Sequence, residues 1–316
     1  MKLQSFPDAD KYVFKDAFIK RYTELTDWDT FKKYTLSFLR KSIRVNTLKI
    51  TAPELLKRLE KDWTLEQIPW CKEGFFIEHK GGRRDVGNTI EHALGYYYVQ
   101  EAASMIPPLV LDPQPGEIIL DMAAAPGSKT SQMSALMQNR GIIIANDIKG
   151  MRLAALGINL QRIGSTNTII TLMQGEQFAR AGITFDRILL DAPCTGTGTI
   201  RKSPKTILMW NPDMILRIAK LQHKLIETAW TCLKSGGTLV YSTCSTEPEE
   251  NEAIVSKLLI AHPDAHAEEI KLPIAKGKPV TEFQGTTYHP DVKKTLRLWP
   301  QDNDTEGFFV AKITKK

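Results

Sequence analysis

Several features are scarce in this 316-residue chain. Cysteine occurs four times, at Cys71, Cys194, Cys232 and Cys244, and never as a CxxC pair, so neither a zinc ribbon nor a dithiol redox motif has spacing support. No uncharged apolar run reaches the roughly 18–20 residues that span a bilayer. The N-terminus, with Phe6-Pro7-Asp8 near its start, lacks the apolar core of a signal peptide. The expectation is a cytoplasmic protein, monomeric, with no membrane or metal among its partners and with free thiols. Internal repeats and low-complexity tracts are absent. Hydrophobic residues at 42% and charged residues at 25% exclude a disordered chain. At roughly 150 residues per domain, two domains fit the length.

The charge is uneven. Lys plus Arg is 42 against 36 for Asp plus Glu, a net +6. The first 100 residues hold 18 of the bases and 14 of the acids, and Lys32 to Arg58 holds eight bases against one acid, Glu54. Such a stretch permits nucleic-acid binding, although a solvated Lys-rich helix face has the same composition. Apolar spacing predicts a helix within 11–41, a strand over 43–50, a helix over 52–61 with Pro53 in its first turn, and short strands over 63–68 and 74–78. This reads as a small α+β unit spanning 1–100. From about residue 115 strands and helices alternate: strands over 117–121, 142–146, 168–172, 185–190 and 237–242, helices over 129–139, 150–163, 212–233 and 247–262, and a closing strand over 307–313. Alternation of this kind predicts an α/β domain over 101–316, doubly wound on a mostly parallel sheet. Ligands bind such sheets beyond the C-terminal strand ends.

The strand ends carry the informative residues. Asp121-Met122-Ala123-Ala124-Ala125-Pro126-Gly127-Ser128-Lys129-Thr130 follows an apolar strand and opens a helix. Small residues let backbone approach a ligand, and a helix start offers free N–H groups. The loop matches neither GxxxxGK[ST] nor GxGxxG, which disfavours a pyrophosphate. Asp147 follows the next strand, 26 residues past Asp121, where an acid suits ribose hydroxyls. The pattern favours a nucleoside cofactor such as S-adenosyl-L-methionine. Two further strand ends read Asp191-Ala192-Pro193-Cys194 and Thr243-Cys244-Ser245, 50 residues apart at their cysteines. Adjacent strands would place both thiols in one cleft. Cys71 and Cys232 read as small buried residues.

These motifs together closely resemble the RNA cytosine-5 methyltransferases of the RsmB/Sun (NOP/NSUN-type) family, among them archaeal-type tRNA and rRNA enzymes. The resemblance runs from Arg44-Val45-Asn46 to Gly307-Phe308-Phe309, most of the chain. It implies a class I methyltransferase fold, a seven-stranded Rossmann-like sheet, behind a small RNA-binding domain. It implies S-adenosyl-L-methionine, with Ala123 to Lys129 around the methionine part, Asp147 at the ribose, Arg152 lining the site and Gln174, or alternatively Glu176, at the adenine. It assigns nucleophilic attack at cytosine C6 to Cys244, product release to Cys194, and base binding to Asp191, with Lys129 available to lower a thiol pKa. The rival reading makes Cys194 the nucleophile. Arg201-Lys202-Ser203-Pro204-Lys205 is a candidate phosphate contact, Trp210 reads as packing, and Glu249-Glu250-Asn251-Glu252 as helix-start chemistry. The expected substrate is RNA, tRNA ahead of rRNA, because no separate C-terminal RNA-binding module follows the last strand. A DNA cytosine methyltransferase and a non-catalytic RNA-binding protein of the same fold are the alternatives.

Overall fold

The computed structural model describes residues 3–316; Met1 and Lys2, where the reading of the N-terminus begins, lie outside the described residues. Fourteen strands are present among them. The first four are β1 (Ser42–Val45), β2 (Trp63–Gln67), β3 (Gly74–His79) and β4 (Tyr97–Val99), and they form an antiparallel sheet in the order β2-β3-β1-β4. The Ala52–Leu59 helix packs on it through Leu55 and Leu59. The predicted helix within 11–41 is two helices, Asp16–Leu25 and Trp28–Thr35, with Asp27 capping the second. These two do not pack on the four-stranded sheet. Phe14, Phe18, Tyr22 and Phe31 share a cluster with Ile200, Trp210, Ile215 and Trp299, so the N-terminal helices lie against the C-terminal half of the chain.

The large sheet holds β5 (Ile118–Asp121), β6 (Ile142–Asp147), β7 (Thr168–Leu172), β8 (Phe185–Asp191), β9 (Leu233–Thr243), β10 (Ala265–Glu268), β13 (Leu296–Leu298) and β14 (Phe308–Lys315), while β11 (Glu282–Phe283) and β12 (Thr286–Thr287) make a separate hairpin. Its order is β10-β14-β9-β8-β5-β6-β7, the count of seven that the resemblance implies, with β10 added to the six strands read from the sequence and β13 pairing the other end of β14 as an eighth. Strands β7, β6, β5, β8 and β9 run parallel and β14 runs antiparallel to β9. Parallel strands are covered on both faces, which is why they read as continuous apolar runs. Alternate residues part to opposite sides. Leu120, Ile188, Leu190, Leu239 and Tyr241 meet the Pro212–Cys232 and Glu252–Ala261 helices. Ile119, Ile143, Leu189 and Val240 meet the Ile106–Leu111 and Ser128–Leu136 helices. Strand order reverses between β5 and β8, so a crevice opens beyond the C-terminal ends of β5, β6, β8 and β9.

Candidate functional site

Strand β5 ends at Asp121, and the Ala123–Gly127 loop turns into the Ser128–Leu136 helix. Gly127 sits at φ 101°, a left-handed conformation that favours glycine, and a Cβ there would also press on Leu156 Cδ1 at 2.9 Å, a side-chain end that can shift. Ala124 and Ala125 are buried against Ala145, Leu156 and Leu160, while Ala123 and Ser128 are half-buried and Pro126 is exposed. The loop carbonyls are tied outward: Asn159 Nδ2 donates to Pro126 O at 3.0 Å, and an Arg152 Nη donates to Ala125 O. Arg152 also places Nη1 3.0 Å from Asp147 Oδ2, linking the ends of β5 and β6. That oxygen is buried and has no aligned donor, and Asp147 Oδ1 accepts from Lys149 N–H at 3.0 Å. Asp121 Oδ2 accepts from Thr130 Oγ1 at 2.7 Å, its Oδ1 is buried without a partner, and burial raises its pKa to about 7. Beyond β7, Gln174 is exposed and Glu176 half-buried.

Strands β8 and β9 are neighbours, with Asp191 paired to Ser242. The chain leaves the sheet just past that pair on both sides and brings Cys194 Sγ to 3.1 Å from Cys244 Sγ. Both are free and half-buried, whereas Cys71 and Cys232 are buried in the core as expected, the Cys71 thiol pushed up by burial to about 11. The Cys244 sulfur, burial and the Glu250 and Asp191 carboxylates push the Cys194 thiol well above its ordinary value. Either sulfur can donate in that contact. Asp191 accepts from Ser242 Oγ at 2.7 Å and from Lys129 Nζ at 2.7 Å, and Lys129 also donates to Ser104 Oγ at 2.9 Å. Burial works against the Lys129 charge, but Asp191, with Cys244 and Asp121 adding, holds its pKa above the ordinary value. Lys129, Asp191, Cys194 and Cys244 thus form one cluster at the strand ends.

Sequence reasoning missed the groups that hold this cluster. Ser104 and Ser242 are ordinary hydroxyl residues with no local signal. Glu250 was noted, but its role is not helix-start chemistry: it is fully buried and accepts from Thr195 N at 3.0 Å, Ser245 Oγ at 2.7 Å, Gln222 Nε2 at 2.9 Å and also Thr195 Oγ1. Glu247 accepts from Arg21 Nε at 2.6 Å, Tyr22 Oη at 2.9 Å and Trp210 Nε1 at 3.0 Å, so Trp210 packs as expected. Glu252 pairs with Arg297.

Two basic residues expected at the surface are internal. Arg201 is 3% exposed; it donates to the carbonyls of Phe38 and Thr305 and to Asp304 Oδ1, so it is a structural tie and not a phosphate contact. Its neighbours Lys202 and Lys205 are exposed. Arg44 is 2% exposed, donates to Gln100 Oε1 and Ser131 Oγ, and is lowered to about 10 by burial. It joins β1 to the Ser128–Leu136 helix. The Lys32–Arg58 stretch is therefore not one solvated face. A groove of about 700 Å³ lies away from the thiols, between the N-terminal segment and strands β2 and β3, with Phe38, Arg40, Lys41, Trp63, Arg83 and Arg84 in its walls. Arg84 stacks on Phe38 at 3.8 Å. Among the described residues no helix is long and apolar enough to cross a membrane.

A parallel sheet reversing at β5 and β8, a small-residue loop after its first strand, an acid after its second and an antiparallel last hairpin define a class I methyltransferase. The sequence matches the family 16S rRNA methyltransferase RsmB/F over residues 108–314 and the N-terminal domain of 16S rRNA methyltransferase RsmF over residues 14–102. The chain belongs to the RsmB/F family, the RNA cytosine-5 methyltransferases that its motifs resemble. It is 49% identical over 298 residues to a tRNA (cytosine(49)-C(5))-methyltransferase of Pyrococcus abyssi, covering 94% of this chain and 95% of that one. It is 46% identical over 293 residues to ribosomal RNA small subunit methyltransferase F of Shewanella amazonensis, covering 91% of this chain but 60% of that protein. A solved methyltransferase homolog protein from Pyrococcus horikoshii superposes with a TM-score of 0.87 at 38% identity, over 98% of this chain and all of that one. The structure of NSun6 from the same organism with SFG gives 0.83 at 26% identity, over 96% and 99%.

Proposed function

We propose that this chain methylates C5 of cytosine in tRNA, using S-adenosylmethionine, through a covalent bond between Cys244 and cytosine C6. The observation that carries the reading is the pair of thiols in contact beside the Lys129–Asp191 ion pair. The tRNA preference rests on the Pyrococcus abyssi relative, which matches over nearly its whole length, whereas the ribosomal relative matches over 60% of its own.

The residues present suit the cofactor. Asp147 and Asp121 each hold a buried carboxylate oxygen short of a donor, and hydroxyl and ammonium groups are donors. The Ala123–Ser128 loop has no bulky side chain except Pro126, which points a ring and no donor. Asp147, Arg152 and this loop would hold the cofactor, with Gln174 at its far end. When bound, S-adenosylmethionine supplies an electrophilic methyl group on its sulfonium sulfur.

The protein's own groups prepare cytosine. C5 is a poor nucleophile. A Cys244 thiolate adding to C6 forms an S–C6 bond and moves the C5=C6 electron pair onto C5. Asp191 binds the base edge, and Lys129 balances the negative charge that gathers around the adduct. Once C5 is methylated its proton leaves to solvent, the C–H pair re-forms C5=C6, and the sulfur departs as thiolate. Cys194, 3.1 Å away, is placed to donate a hydrogen bond to that departing sulfur. The Cys244 sulfur, burial and the Glu250 and Asp191 carboxylates raise the Cys194 thiol, which counts against Cys194 as the attacking thiolate. The base must leave its stack to reach the cleft. The N-terminal unit, divided from the catalytic part near residue 100, grips the RNA through the basic and aromatic groove, and exposed Lys202 and Lys205 of the catalytic part add phosphate contacts.

The test uses labelled S-adenosylmethionine and unmodified total RNA separated by size, with nucleosides identified after digestion. Label in 5-methylcytidine of tRNA, lost in Cys244→Ala, is the expected result. Label confined to ribosomal RNA would overturn the tRNA preference, and label persisting in Cys244→Ala would move the nucleophile to Cys194.

A further inference from the structure

The sheet alone does not fix the two sulfurs. The last paired residue of β8 is Asp191 and that of β9 is Thr243, opposite Phe309 of β14, so Cys194 lies three residues and Cys244 one residue beyond the ladders. Loops past a ladder move freely unless other groups bind them. One side chain binds both. Glu250 accepts at Oε1 from Ser245 Oγ, next to Cys244, and from Thr195 Oγ1, next to Cys194, and at Oε2 from Thr195 N at 3.0 Å. Gln222 Nε2 completes the frame, donating to Glu250 Oε2 at 2.9 Å and to Pro193 O at 2.8 Å, so Cys194 is held on both flanks. Glu250 itself is anchored where Tyr241 Oη donates to its carbonyl.

We propose that Glu250 is a positioning residue for the reaction, a buried carboxylate that clamps the residues after Cys194 and Cys244 and thereby sets the separation of the two sulfurs. All four of its side-chain contacts are donors. A glutamine of the same shape can keep its oxygen on Thr195 N and Gln222 Nε2 only by turning its N–H₂ toward the two hydroxyls, which must then rotate to accept, and all four bonds lose the carboxylate charge that strengthens them. The change is isosteric but weakens the clamp. The proposal rests on the functional reading only in calling the separated thiols catalytic.

Its test reads sulfur proximity without methyl transfer. Diamide takes two electrons and two protons from a pair of adjacent thiols, forming one disulfide and a hydrazine. In wild type, a Cys194–Cys244 disulfide mapped by peptide mass spectrometry is expected at low diamide, reversed by dithiothreitol. In Glu250→Gln its rate of formation falls by about tenfold or more, the scale of penalty that an ångström of misplacement brings. Thr195→Val removes one of the four contacts and should show a smaller slowing, which keeps the test valid if Glu250→Gln folds poorly. Circular dichroism and melting temperature confirm that the compared proteins are folded. In parallel, kcat for RNA methylation should fall with KM for RNA and cofactor unchanged. Equal cross-linking rates in all three proteins, or no disulfide in wild type, would overturn the clamp whatever the activity. Slowed cross-linking in a protein whose wild type transfers no methyl group supports the clamp and overturns the reaction assignment instead.

Discussion

The ion pair between Arg297 and Glu252 offers a quantitative test of how the Cys244 loop is held. The two side chains are 1% and 0% exposed. Arg297 Nε donates to Glu252 Oε1 at 2.8 Å, Nη2 to Oε2 at 2.5 Å, and Nη1 to the carbonyl of Thr246, two residues past Cys244, at 2.8 Å. In Arg297→Met the stem is replaced but Glu252 is left with only the Val280 N–H, at 3.2 Å. Removing one member of a buried pair costs about 3–5 kcal/mol, because the other charge stays desolvated without a partner. Glu252→Met strands Arg297 and should cost about the same. The double substitution to methionine removes both charges and fills the space, and such replacements are often neutral, so its cost should stay below about 2 kcal/mol. The cycle then gives a coupling of about 4 kcal/mol or more, large for a contacting pair. The assay is guanidinium unfolding of the four proteins, with far-ultraviolet circular dichroism and tryptophan fluorescence required to coincide and slopes required to match. Singles that add to give the double would refute the argument that this pair is a desolvated unit.

Other expectations follow from the site and its surroundings. Cys244→Ala should lose about 10³-fold or more in methyl transfer and form no protein–RNA adduct on a denaturing gel, whereas Cys194→Ala should accumulate the adduct because release lacks its donor. Asp147→Ala should weaken S-adenosylmethionine binding by about tenfold or more in calorimetry with little change in melting temperature, since it removes one charged acceptor of the ribose. Burial first, then the adjacent Glu101 carboxylate, raises Glu306 from 4.5 to about 8. The folded state therefore binds that proton more tightly than the unfolded chain. Its contribution to stability is fully present below about pH 4.5 and is lost as pH rises through about 8. Glu306→Gln should flatten melting temperature against pH across that window, and an unchanged slope would show that Glu306 ionises normally.

The parallel core was legible because its strands are buried on both faces. Ile118-Ile119-Leu120 and Ile188-Leu189-Leu190 admit few other readings once a turn and a helix follow them. β10 was not, because Ala-His-Ala-Glu carries little strand preference and is held by pairing with β14. β13 is three residues long, too short to show a period. The start of β9 contains Ser235-Gly236-Gly237, which reads as a turn, and strand pairing with β8 overrides it around a register shift. The thiol pair was legible because position after an apolar strand is itself a signal. The charges around it were not. A charged residue reads by default as solvated, since burying it without a partner is costly, and the partners that make burial possible here are distant in sequence. Arg21 meets Glu247 across 226 residues, and Arg201 reaches Phe38 across 163.

That distance suggests why the site is built from charges at all. Glu247, Glu250 and Glu252 lie within eight residues of Cys244 and anchor to three different parts of the fold: the first N-terminal helix, the Cys194 loop and β13. Apolar contacts would give comparable stability at less desolvation cost, but they slide, whereas a carboxylate bonded to fixed donors specifies one position. If the pairs serve placement, then stability and activity should separate. The Arg297→Met/Glu252→Met double variant is the sharpest case. Its unfolding free energy should stay within about 2 kcal/mol of wild type, yet the Thr246 carbonyl has lost its donor and the Cys244 loop one of its three anchors. Its kcat should fall by about tenfold or more while KM for RNA holds, the signature of a misplaced reacting group. Full activity in that stable double variant would mean that the Arg297–Glu252 charges do not serve placement, and that the loop is held well enough by Glu247 and Glu250.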